Sequence, residues 1–366
     1  MKAFLYGSST SSHQVEGNNV HNDWWQAEQI KKVPFKSGEA CDQYHRFAED
    51  FGLAKQLGHT AHRLSLEWSR IEPVEGQWNY KALEHYRVVL EELKKQGLVP
   101  FVTLHHFTNP KWFAERGGWE KSDSVELFMR YVKIVAEQFQ DLVDFWIPIN
   151  ESNVYVGKGF VQGEWPPFKK NKLSAWRVTR NLLKAHRQAY TLIHRIDKHA
   201  EVGSAHSIIY FPESKLLNKL YNHYFLKKIN NYSDFIGLNY YFSSQKEWDG
   251  PVSALNWSIN PNGLKKVLLD MKMYNKPIYI TENGIATNKD QERAEFIRSH
   301  LRAIEQAQAE GVDVRGYFYW ALLDNFEWAE GFKPRFGLIE VDYATQERRI
   351  RPSALVYKAI IEAAQK

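Results

Sequence analysis

The chain has 366 residues, among them 48 lysines and arginines, 43 aspartates and glutamates, and one cysteine, Cys41. A charged fraction of 25% is typical of globular proteins, which argues against a disordered chain. The net charge of +5 is mild and not concentrated in a stripe, so nucleic acid is not an expected partner. A single cysteine excludes an internal disulfide framework and a multi-cysteine metal site.

Short apolar runs typical of β-strands alternate with longer amphipathic segments along the whole chain. Eight strands are predicted, at residues 3–7, 60–66, 99–105, 144–150, 201–206, 234–240, 277–282 and 315–320. Eight helices are predicted, at residues 42–57, 81–96, 123–140, 174–198, 214–230, 263–274, 290–310 and 353–364. Within these segments apolar residues recur at helical spacing, as Leu83, Tyr86, Leu90 and Leu93 do.

Strands that alternate with helices indicate a parallel sheet, and eight of each indicate an α/β fold with a single (β/α)8 barrel. The alternative is a doubly wound open sheet, which would need a glycine-rich phosphate turn after its first strand. The sequence there, GSSTSS from Gly7 to Ser12, lacks that pattern. Since no Pro/Gly/Ser-rich spacer divides the chain, we expect one domain over residues 1–366.

The first residues contain too short an apolar run for a signal peptide. No stretch approaches the ~20 apolar residues of a transmembrane helix. We therefore expect a cytoplasmic protein without a membrane partner. The basic runs Lys169-Lys170-Lys172 and Arg348-Arg349-Arg351 are interpreted as solvated surface, and no pattern predicts an oligomeric state.

Two glutamates stand where a barrel would place its active site, at the carboxyl ends of strands. Glu151 follows the run IPIN, and Glu282 follows the run IYIT. An ionised carboxylate at the end of a buried run must be paired or functional. Two carboxylates across a cleft are the machinery of glycoside hydrolysis: one protonates the leaving oxygen, and the other attacks the anomeric carbon or activates water.

Polar and aromatic side chains crowd the same predicted rim. They include Gln14, Arg63, His106, Asn150, Asn239, Tyr241, Trp320, Glu327 and Trp328. Tryptophan planes can stack on the apolar C–H faces of a sugar, while amide, imidazole and carboxylate groups can bind its hydroxyls. Either glutamate alone could equally form a structural ion pair at the rim, so it is the joint pattern that favours a sugar site.

Longer motifs carry a resemblance to a known family. The segments HQVEGNN, HRLSLEWSRI, TLHHFTNP, WIPINESNVY, DFIGLNYY, ITENG and YWALLDNFEWAEGF occur in this order across nearly the whole chain. Together they resemble glycoside hydrolase family 1, the retaining β-glucosidase and β-galactosidase family. The resemblance implies a (β/α)8 barrel, a small-molecule β-glycoside or short oligosaccharide as substrate, and neither a cofactor nor a metal.

The resemblance also implies a role for each matched residue. Glu282 would be the nucleophile that forms a covalent glycosyl-enzyme, and Glu151 would be the general acid and then the general base. Arg63 and Asn239 would support the nucleophile. The substrate would be bound by Gln14, His106, Asn150, Tyr241, Trp320, Glu327 and Trp328.

Glu327 separates two substrate classes within this family. Members that act on 6-phosphoglycosides resemble the pattern but place serine there, with a lysine and a tyrosine a few residues on to bind the phosphate. This chain has Glu327, Pro334 and Phe336 at those positions, which predicts unphosphorylated substrates. Lys333 and Arg335 lie close by in sequence and argue in the other direction.

The chain departs from the family pattern near the acid/base and in its length. Pro148 and Ser152 replace a threonine and a proline, and Phe107 replaces a tryptophan. The chain is also shorter than family members generally are, with abrupt stretches after the fifth, sixth and seventh predicted strands. We therefore expect an intact sugar pocket with a shallow, open aglycone side, for which Trp165 and Trp248 are candidate walls.

The expected function is that of a retaining exo-β-glycosidase of the β-glucosidase type, with β-galactosides and β-fucosides as further candidate substrates. A transglycosylase would share the covalent intermediate, and would differ in how well an acceptor sugar competes with water. A non-catalytic sugar-binding barrel is the third alternative, which the presence of both glutamates disfavours. The sequence leaves open the preferred sugar, the aglycone, the ratio of hydrolysis to transfer and the pH optimum.

Overall fold

The computed structural model describes residues 3–244 and 247–365. Nine strands form one sheet: β1 (Leu5–Ser9), β2 (Ala61–Ser65), β3 (Val99–Thr103), β4 (Phe145–Ile147), β5 (Glu201–Val202), β6 (His206–Tyr210), β7 (Ile236–Ser243), β8 (Ile278–Asn283) and β9 (Val314–Trp320). Neighbouring strands are parallel, in the order β5-β4-β3-β2-β1-β9-β8-β7-β6. An antiparallel hairpin follows, made of β10 (Ile339–Val341) and β11 (Arg348–Ile350).

Helices connect the strands and close the chain. The α-helices are α1 (Ser12–Val15), α2 (Asp23–Gln29), α3 (Gln43–Gln56), α4 (Trp68–Ile71), α5 (Tyr80–Lys95), α6 (Lys111–Glu115), α7 (Ser124–Phe139), α8 (Ser152–Val156), α9 (Lys172–Ile196), α10 (Lys215–Leu217), α11 (Tyr224–Ile229), α12 (Pro261–Met271), α13 (Asp290–Ala309) and α14 (Pro352–Ala364). Shorter turns are the π-helical Gly157–Gln162 and Asn218–His223 and the 3-10 helices Gly118–Glu120, Asn230–Tyr232, Lys272–Tyr274 and Trp328–Glu330. The helix predicted at 214–230 is divided into α10, a π-helical turn and α11.

Residues 203–205 join the two edge strands and close the sheet into a barrel. Gly203 bridges Phe235, which precedes β7, while Ala205 bridges Asn150, which follows β4. Nine strands therefore fill eight barrel positions, which confirms the (β/α)8 prediction and excludes the open sheet. The prediction of one continuous strand at 201–206 is wrong, because the structure divides this stretch between β5 and β6. The Phe235 ring packs so closely on Gly203 that a Cβ there would lie 2.4 Å from it, and regular pairing resumes only at His206.

An aromatic cluster fills the barrel interior beneath the carboxyl ends of the strands. Phe101 of β3 stacks on Phe145 of β4 with ring centroids 4.1 Å apart, and meets Phe318 of β9 at 4.7 Å. Tyr279 of β8 completes the contact from the opposite wall at 5.2 Å. All four rings are buried. This cluster forms a dry floor for the polar residues above it.

The outer helices pack on the sheet as their sequence period predicts. Leu83, Leu90 and Leu93 of α5 are all buried. The helix begins after Asn79, whose side-chain oxygen accepts a hydrogen bond from the amide of Ala82 at 3.2 Å and so satisfies one free donor of the first turn. No helix within the described ranges has the length and apolar character needed to cross a membrane.

The second basic run, Arg348-Arg349-Arg351, is not the solvated surface that the sequence suggested. The Arg348 side chain is 1% exposed, and its Nε donates to Oδ1 of Asp50 in α3 at 2.9 Å. Nη2 of Arg351 donates to Asp324 at 2.6 Å, whereas Arg349 is exposed. Alternation along β11 separates Arg348 from Arg349, and Arg351 lies beyond the strand, at the start of α14. A run of like residues reveals neither placement.

Candidate active site

Closure of the barrel brings the carboxyl ends of the strands together, and with them the residues singled out in the sequence. Eight of them line a cavity of about 580 Å³: Gln14, His106, Glu151, Tyr241, Glu282, Trp320, Glu327 and Trp328. The other three, Arg63, Asn150 and Asn239, are buried and hydrogen-bonded to the cavity glutamates or to one another. Sequence reasoning therefore placed all eleven at one site.

Glu282, at the end of β8, has a charged partner and a phenol partner. Nη1 of Arg63 donates to its Oε1 at 2.5 Å. The hydroxyl of Tyr241 donates to its Oε2 at 2.7 Å. The residue is 4% exposed, so both contacts act in a largely dry environment. Together the two donors orient both carboxylate oxygens and provide a counter-charge.

Arg63 extends this arrangement to the neighbouring strands. Its Nη2 donates to Oδ1 of Asn150 at 2.6 Å, and its Nε donates to Oγ1 of Thr103 at 3.1 Å. The side-chain amide of Asn150 in turn lies 3.2 Å from Nε2 of His106. Burial and the charge of Arg63 lower the pKa of His106, so the imidazole is neutral and can accept this hydrogen bond.

Glu151 has a different environment although it is the same residue type. Its backbone adopts a left-handed conformation, with φ 40° and ψ 56°, and its amide donates to the carbonyl of Ala205 at 2.7 Å. The carboxylate accepts a hydrogen bond from Nδ2 of Asn239 at 2.9 Å. Burial raises the pKa of Glu151, and the negative charge of Glu282 raises it further. The amide of Asn239 and the more distant Arg63 oppose this only in part.

Asn239 is placed differently from the prediction. The resemblance implied that it supports Glu282, yet its amide donates to Glu151. Its own carbonyl oxygen accepts from the hydroxyl of Thr281 at 2.7 Å, which fixes the amide so that its NH2 group faces Glu151. Thr281 precedes Glu282 on β8, so this contact couples the two glutamates through neighbouring side chains.

Gln14 and Glu327 form a polar group on the β1 and β9 side of the cavity. Nε2 of Gln14 donates to Oε2 of Glu327 at 3.2 Å and to the carbonyl of Phe326 at 2.9 Å. Burial, and then the charge of Glu282, raise the pKa of Glu327 to about 8. Hydrogen bonds from Trp320 and Gln14 act in the opposite direction.

Aromatic rings form the adjacent wall. The imidazole of His106 lies nearly parallel to the rings of Trp320 and Trp328, with centroids 6.2 and 6.3 Å away. Trp165 packs 5.7 Å from Trp328 and lines the cavity, as expected for an aglycone wall. Trp248, the other candidate wall, does not line the cavity; its indole nitrogen donates to the carbonyl of Pro251 at 2.9 Å.

Sequence reasoning missed residues that follow β6 and β7. The loop after β7 adds Leu255, Asn256 and Trp257 to the cavity, and the Trp257 ring lies 5.5 Å from that of Tyr241. The sequence signal that could have identified Trp257 is a tryptophan in a loop that follows the carboxyl end of a strand. Ser207 and Tyr221 come from β6 and the π-helical turn behind it. In the abrupt stretch predicted after β7, residues 245 and 246 lie outside the described residues.

Comparison with known proteins assigns this arrangement to a family. Residues 1–215 and 240–366 match the model of Glycosyl hydrolase family 1. Beta-glucosidase A of Thermotoga maritima is 31% identical over 433 aligned positions, which cover 99% of this chain and 97% of that protein. A 6-phospho-beta-galactosidase 1 of Streptococcus pneumoniae is 30% identical and covers 98% of this chain and 97% of its own length.

Solved structures agree over the full length. A beta-glycosidase from Pyrococcus horikoshii superposes with a TM-score of 0.95 at 40% identity, covering 100% of this chain and 95% of that one. The beta-glucosidase from Thermotoga maritima in complex with castanospermine superposes with a TM-score of 0.92 at 31% identity, covering 99% and 98% of the two chains. The chain therefore belongs to glycosyl hydrolase family 1 and is a glycoside hydrolase.

Proposed function

We propose that this hydrolase is a retaining exo-β-glycosidase that acts on unphosphorylated β-glycosides, in one catalytic domain over residues 1–366. The observation that carries the proposal is the contrast between two carboxylates in one cavity. Glu282 is paired with Arg63 and Tyr241, as a nucleophile needs to be. Glu151 has a raised pKa and an amide partner, as a proton donor needs.

In the first step, an oxygen of Glu282 attacks the anomeric carbon while Glu151 transfers its proton to the glycosidic oxygen. The bond between that carbon and oxygen breaks, the aglycone leaves as an alcohol, and the sugar becomes an ester of Glu282. In the second step, Glu151, now a carboxylate, takes a proton from water as the water oxygen attacks the anomeric carbon. The ester bond between that carbon and Glu282 breaks, which frees Glu282 as a carboxylate and returns Glu151 to its protonated form. Because the carbon is inverted twice, the sugar is released with its β-configuration.

The remaining residues have roles that follow from their contacts. Asn150 accepts a hydrogen bond from Arg63 and lies beside His106, and we assign to it the 2-hydroxyl next to the reacting carbon. Gln14 and Glu327 form the polar group that would bind the more distant hydroxyls. The T. maritima relative is named a beta-glucosidase, which makes glucosides the first substrates to assay and galactosides and fucosides the next.

Family membership does not choose between plain and phosphorylated sugars, because a named 6-phospho-beta-galactosidase is also a relative. Lys333 and Arg335, the two basic residues close to Glu327 in sequence, have other partners. The ammonium of Lys333 lies over the Phe35 ring at 5.8 Å, and Arg335 donates to Asp324 at 3.3 Å. Neither lines the cavity. Phe336 does line it, and offers no group that could bind a phosphate.

Replacing the nucleophile tests the mechanism directly. Glu282→Gly should lower kcat on 4-nitrophenyl β-glucoside by about 10³-fold or more, since no covalent ester can form. Added azide should restore turnover and yield the α-glycosyl azide, because the small anion attacks from the face that the side chain vacated. Glu330→Gln, at an exposed carboxylate on the cavity rim, is the matched control and should stay within about twofold of wild type.

Two results would contradict the retaining mechanism. One is unchanged turnover in Glu282→Gly. The other is release of the α-anomer as the first product of the wild-type enzyme, followed by proton NMR before mutarotation. Wild-type protein that binds glucose but hydrolyses no glycoside would instead support the sugar-binding alternative.

The substrate class is tested by paired assays. We expect kcat/KM on 4-nitrophenyl β-glucoside to exceed that on its 6-phosphate by at least about 100-fold, since a phosphate dianion would lie unpaired near Glu327. Assays at pH 5 and 7.5 keep the phosphate mostly mono- and dianionic in turn, because its second pKa is about 6. Equal or greater activity on the phosphorylated substrate at both values would refute the assignment.

A further inference from the structure

Ser207 and Tyr221 line the cavity and have no part in the mechanism above. Ser207 belongs to β6, and Tyr221 to the π-helical turn Asn218–His223 that follows. The serine Oγ lies 3.3 Å from the tyrosine hydroxyl. We refer to these two side chains as the hydroxyl pair.

The hydroxyl pair is fixed relative to Glu151. The amide of Glu151 donates to the carbonyl of Ala205 at 2.7 Å, two residues before Ser207 on the same chain segment. From the other direction, the side-chain amide of Asn153 donates to the carbonyl of Ser207 at 2.9 Å. The chain segment that carries Ser207 is therefore joined to Glu151 itself and to Asn153, two residues further on.

Tyr221 is also held in position by hydrogen bonds of its neighbour and of its own backbone. The side chain of the next residue, Asn222, donates to the carbonyl of Ile209 in β6 at 2.7 Å and accepts from its amide at 3.1 Å. The carbonyl of Tyr221 itself lies 3.1 Å from Nε2 of His206. Burial and the charge of Glu151 raise the pKa of Tyr221, so its hydroxyl keeps its proton over the working pH range.

The hydroxyl pair retains hydrogen-bonding capacity. Two hydroxyls can donate two hydrogen bonds and accept four, and the contact between them uses one of each. Among the described residues, no other hydrogen-bond partner of Ser207 Oγ or Tyr221 OH is found. At least one donor and several acceptors thus face the cavity in a partly buried setting, where an unused polar group is costly.

The position points to the leaving group rather than to the glycone. Gln14 and Glu327 follow β1 and β9. Glu151 follows β4 and Ser207 belongs to β6, and these two strands lie across the barrel from β1 and β9 in the strand order. Glu151 protonates the oxygen that leaves in the proposed mechanism. A hydroxyl pair beside it therefore meets the group attached to that oxygen.

We infer that Tyr221 and Ser207 determine aglycone specificity by binding a hydroxyl of a sugar leaving group. The inference rests on the proposed function, because it takes Glu151 as the acid. It concerns this chain in particular, since residues 216–239, which include Tyr221, lie outside the match to the family model. The enzyme should thus favour glucosyl disaccharides over aglycones that offer no hydroxyl.

Tyr221→Phe removes the phenolic hydroxyl and keeps the ring. We expect kcat/KM on cellobiose to fall about tenfold, mainly through a higher KM. A tenfold change corresponds to ~1.4 kcal/mol. On 4-nitrophenyl β-glucoside the change should stay below about twofold. Ser207→Ala should give the same pattern, and the double variant should be no worse than either single one, because the hydroxyls act as one unit. Tyr224→Phe, an exposed tyrosine one residue beyond the turn, is the control.

Three outcomes in the variants would overturn the inference. They are an equal loss on both substrates, no loss on cellobiose, or a shift of the alkaline limb of the pH profile, which would mean that Tyr221 acts through Glu151. A wild-type enzyme that hydrolyses the aryl glucoside but no glucosyl disaccharide would also overturn it, and would leave the proposed function standing. Failure of the proposed function would show instead as inactivity or inversion on both substrates. Circular-dichroism melting checks that each variant folds.

Discussion

At the scale of single residues, Glu282 and Glu151 are the same residue type and differ in the partners that surround them. Glu282 and Glu151 both end apolar runs, and nothing in their residue type says which is the acid. The guanidinium of Arg63 and the phenol of Tyr241 reach Glu282, while Glu151 receives an uncharged amide. Burial in a site without a direct charge partner raises the pKa of Glu151 and so favours its protonated form.

This contrast has a consequence for the pH dependence. The pKa of Glu151 is raised by burial and by the charge of Glu282. The proposed mechanism needs Glu151 protonated. Activity should therefore be present below the raised pKa of Glu151 and be lost as the pH rises through it. In kcat/KM measured from pH 5 to 10, we expect an alkaline limb well above the usual carboxyl range of about 4.3.

The assignment of that limb has its own control. Glu151→Gln should remove it for substrates with a good leaving group such as 2,4-dinitrophenol, which depart without a proton. An alkaline limb that is unchanged in Glu151→Gln would assign it to another group, and Glu327, whose pKa is also raised to about 8, would be the next to replace.

At the scale of elements, the hairpin β10–β11 is tied to the barrel by a buried ion pair. Arg348 of β11 and Asp50 of α3 are 1% and 0% exposed. Arg348 also donates to the carbonyls of Cys41 and Gln346. The hairpin follows the loop that carries Glu327, and the amide of Asp324 in that loop donates to the carbonyl of Ile339 in β10 at 3.0 Å. Docking of the hairpin thus supports the loop that carries Glu327.

Removing one member of this pair should be costly. Arg348→Met leaves Asp50 buried without its charge partner, and should lower the free energy of unfolding by about 3–5 kcal/mol. Urea denaturation followed by tryptophan fluorescence measures the loss. The double variant Asp50→Leu/Arg348→Met should recover part of it, since no buried charge remains. Arg349→Met, at the exposed neighbour, should change stability by less than about 0.5 kcal/mol. A double variant less stable than Arg348→Met would refute this account.

At the scale of the whole molecule, the chain is compact for its family. Its 366 residues align over 433 positions with the T. maritima beta-glucosidase A, so that relative carries segments that this chain lacks. The eleven residues singled out in the sequence are nevertheless all present, eight lining one cavity and three buried beside it. The segments that this chain lacks therefore do not include the residues that would bind the glycone.

An open aglycone side remains a prediction, and chain length of the substrate tests it. We expect kcat/KM on cellotetraose to lie within about threefold of that on cellobiose, because the additional units can extend past Trp165 and the loop carrying Trp257 into solvent. A fall of more than about 30-fold with each added unit would indicate a deep, closed entrance instead. Cellobiose hydrolysis in the same preparation serves as the reference.

The sequence by itself determined the barrel and the main chemistry, because strand and helix periods and the residues at strand ends are local properties. It predicted Glu151, Glu282, Arg63 and Tyr241 at one rim, where the structure places them. Only the tertiary structure showed that Asn239 serves Glu151 rather than Glu282, that Trp248 lies off the cavity, and that Ser207 and Tyr221 enter it. The orientation of an amide, or the face that a loop presents, depends on neighbours distant in sequence, and no local pattern records those neighbours.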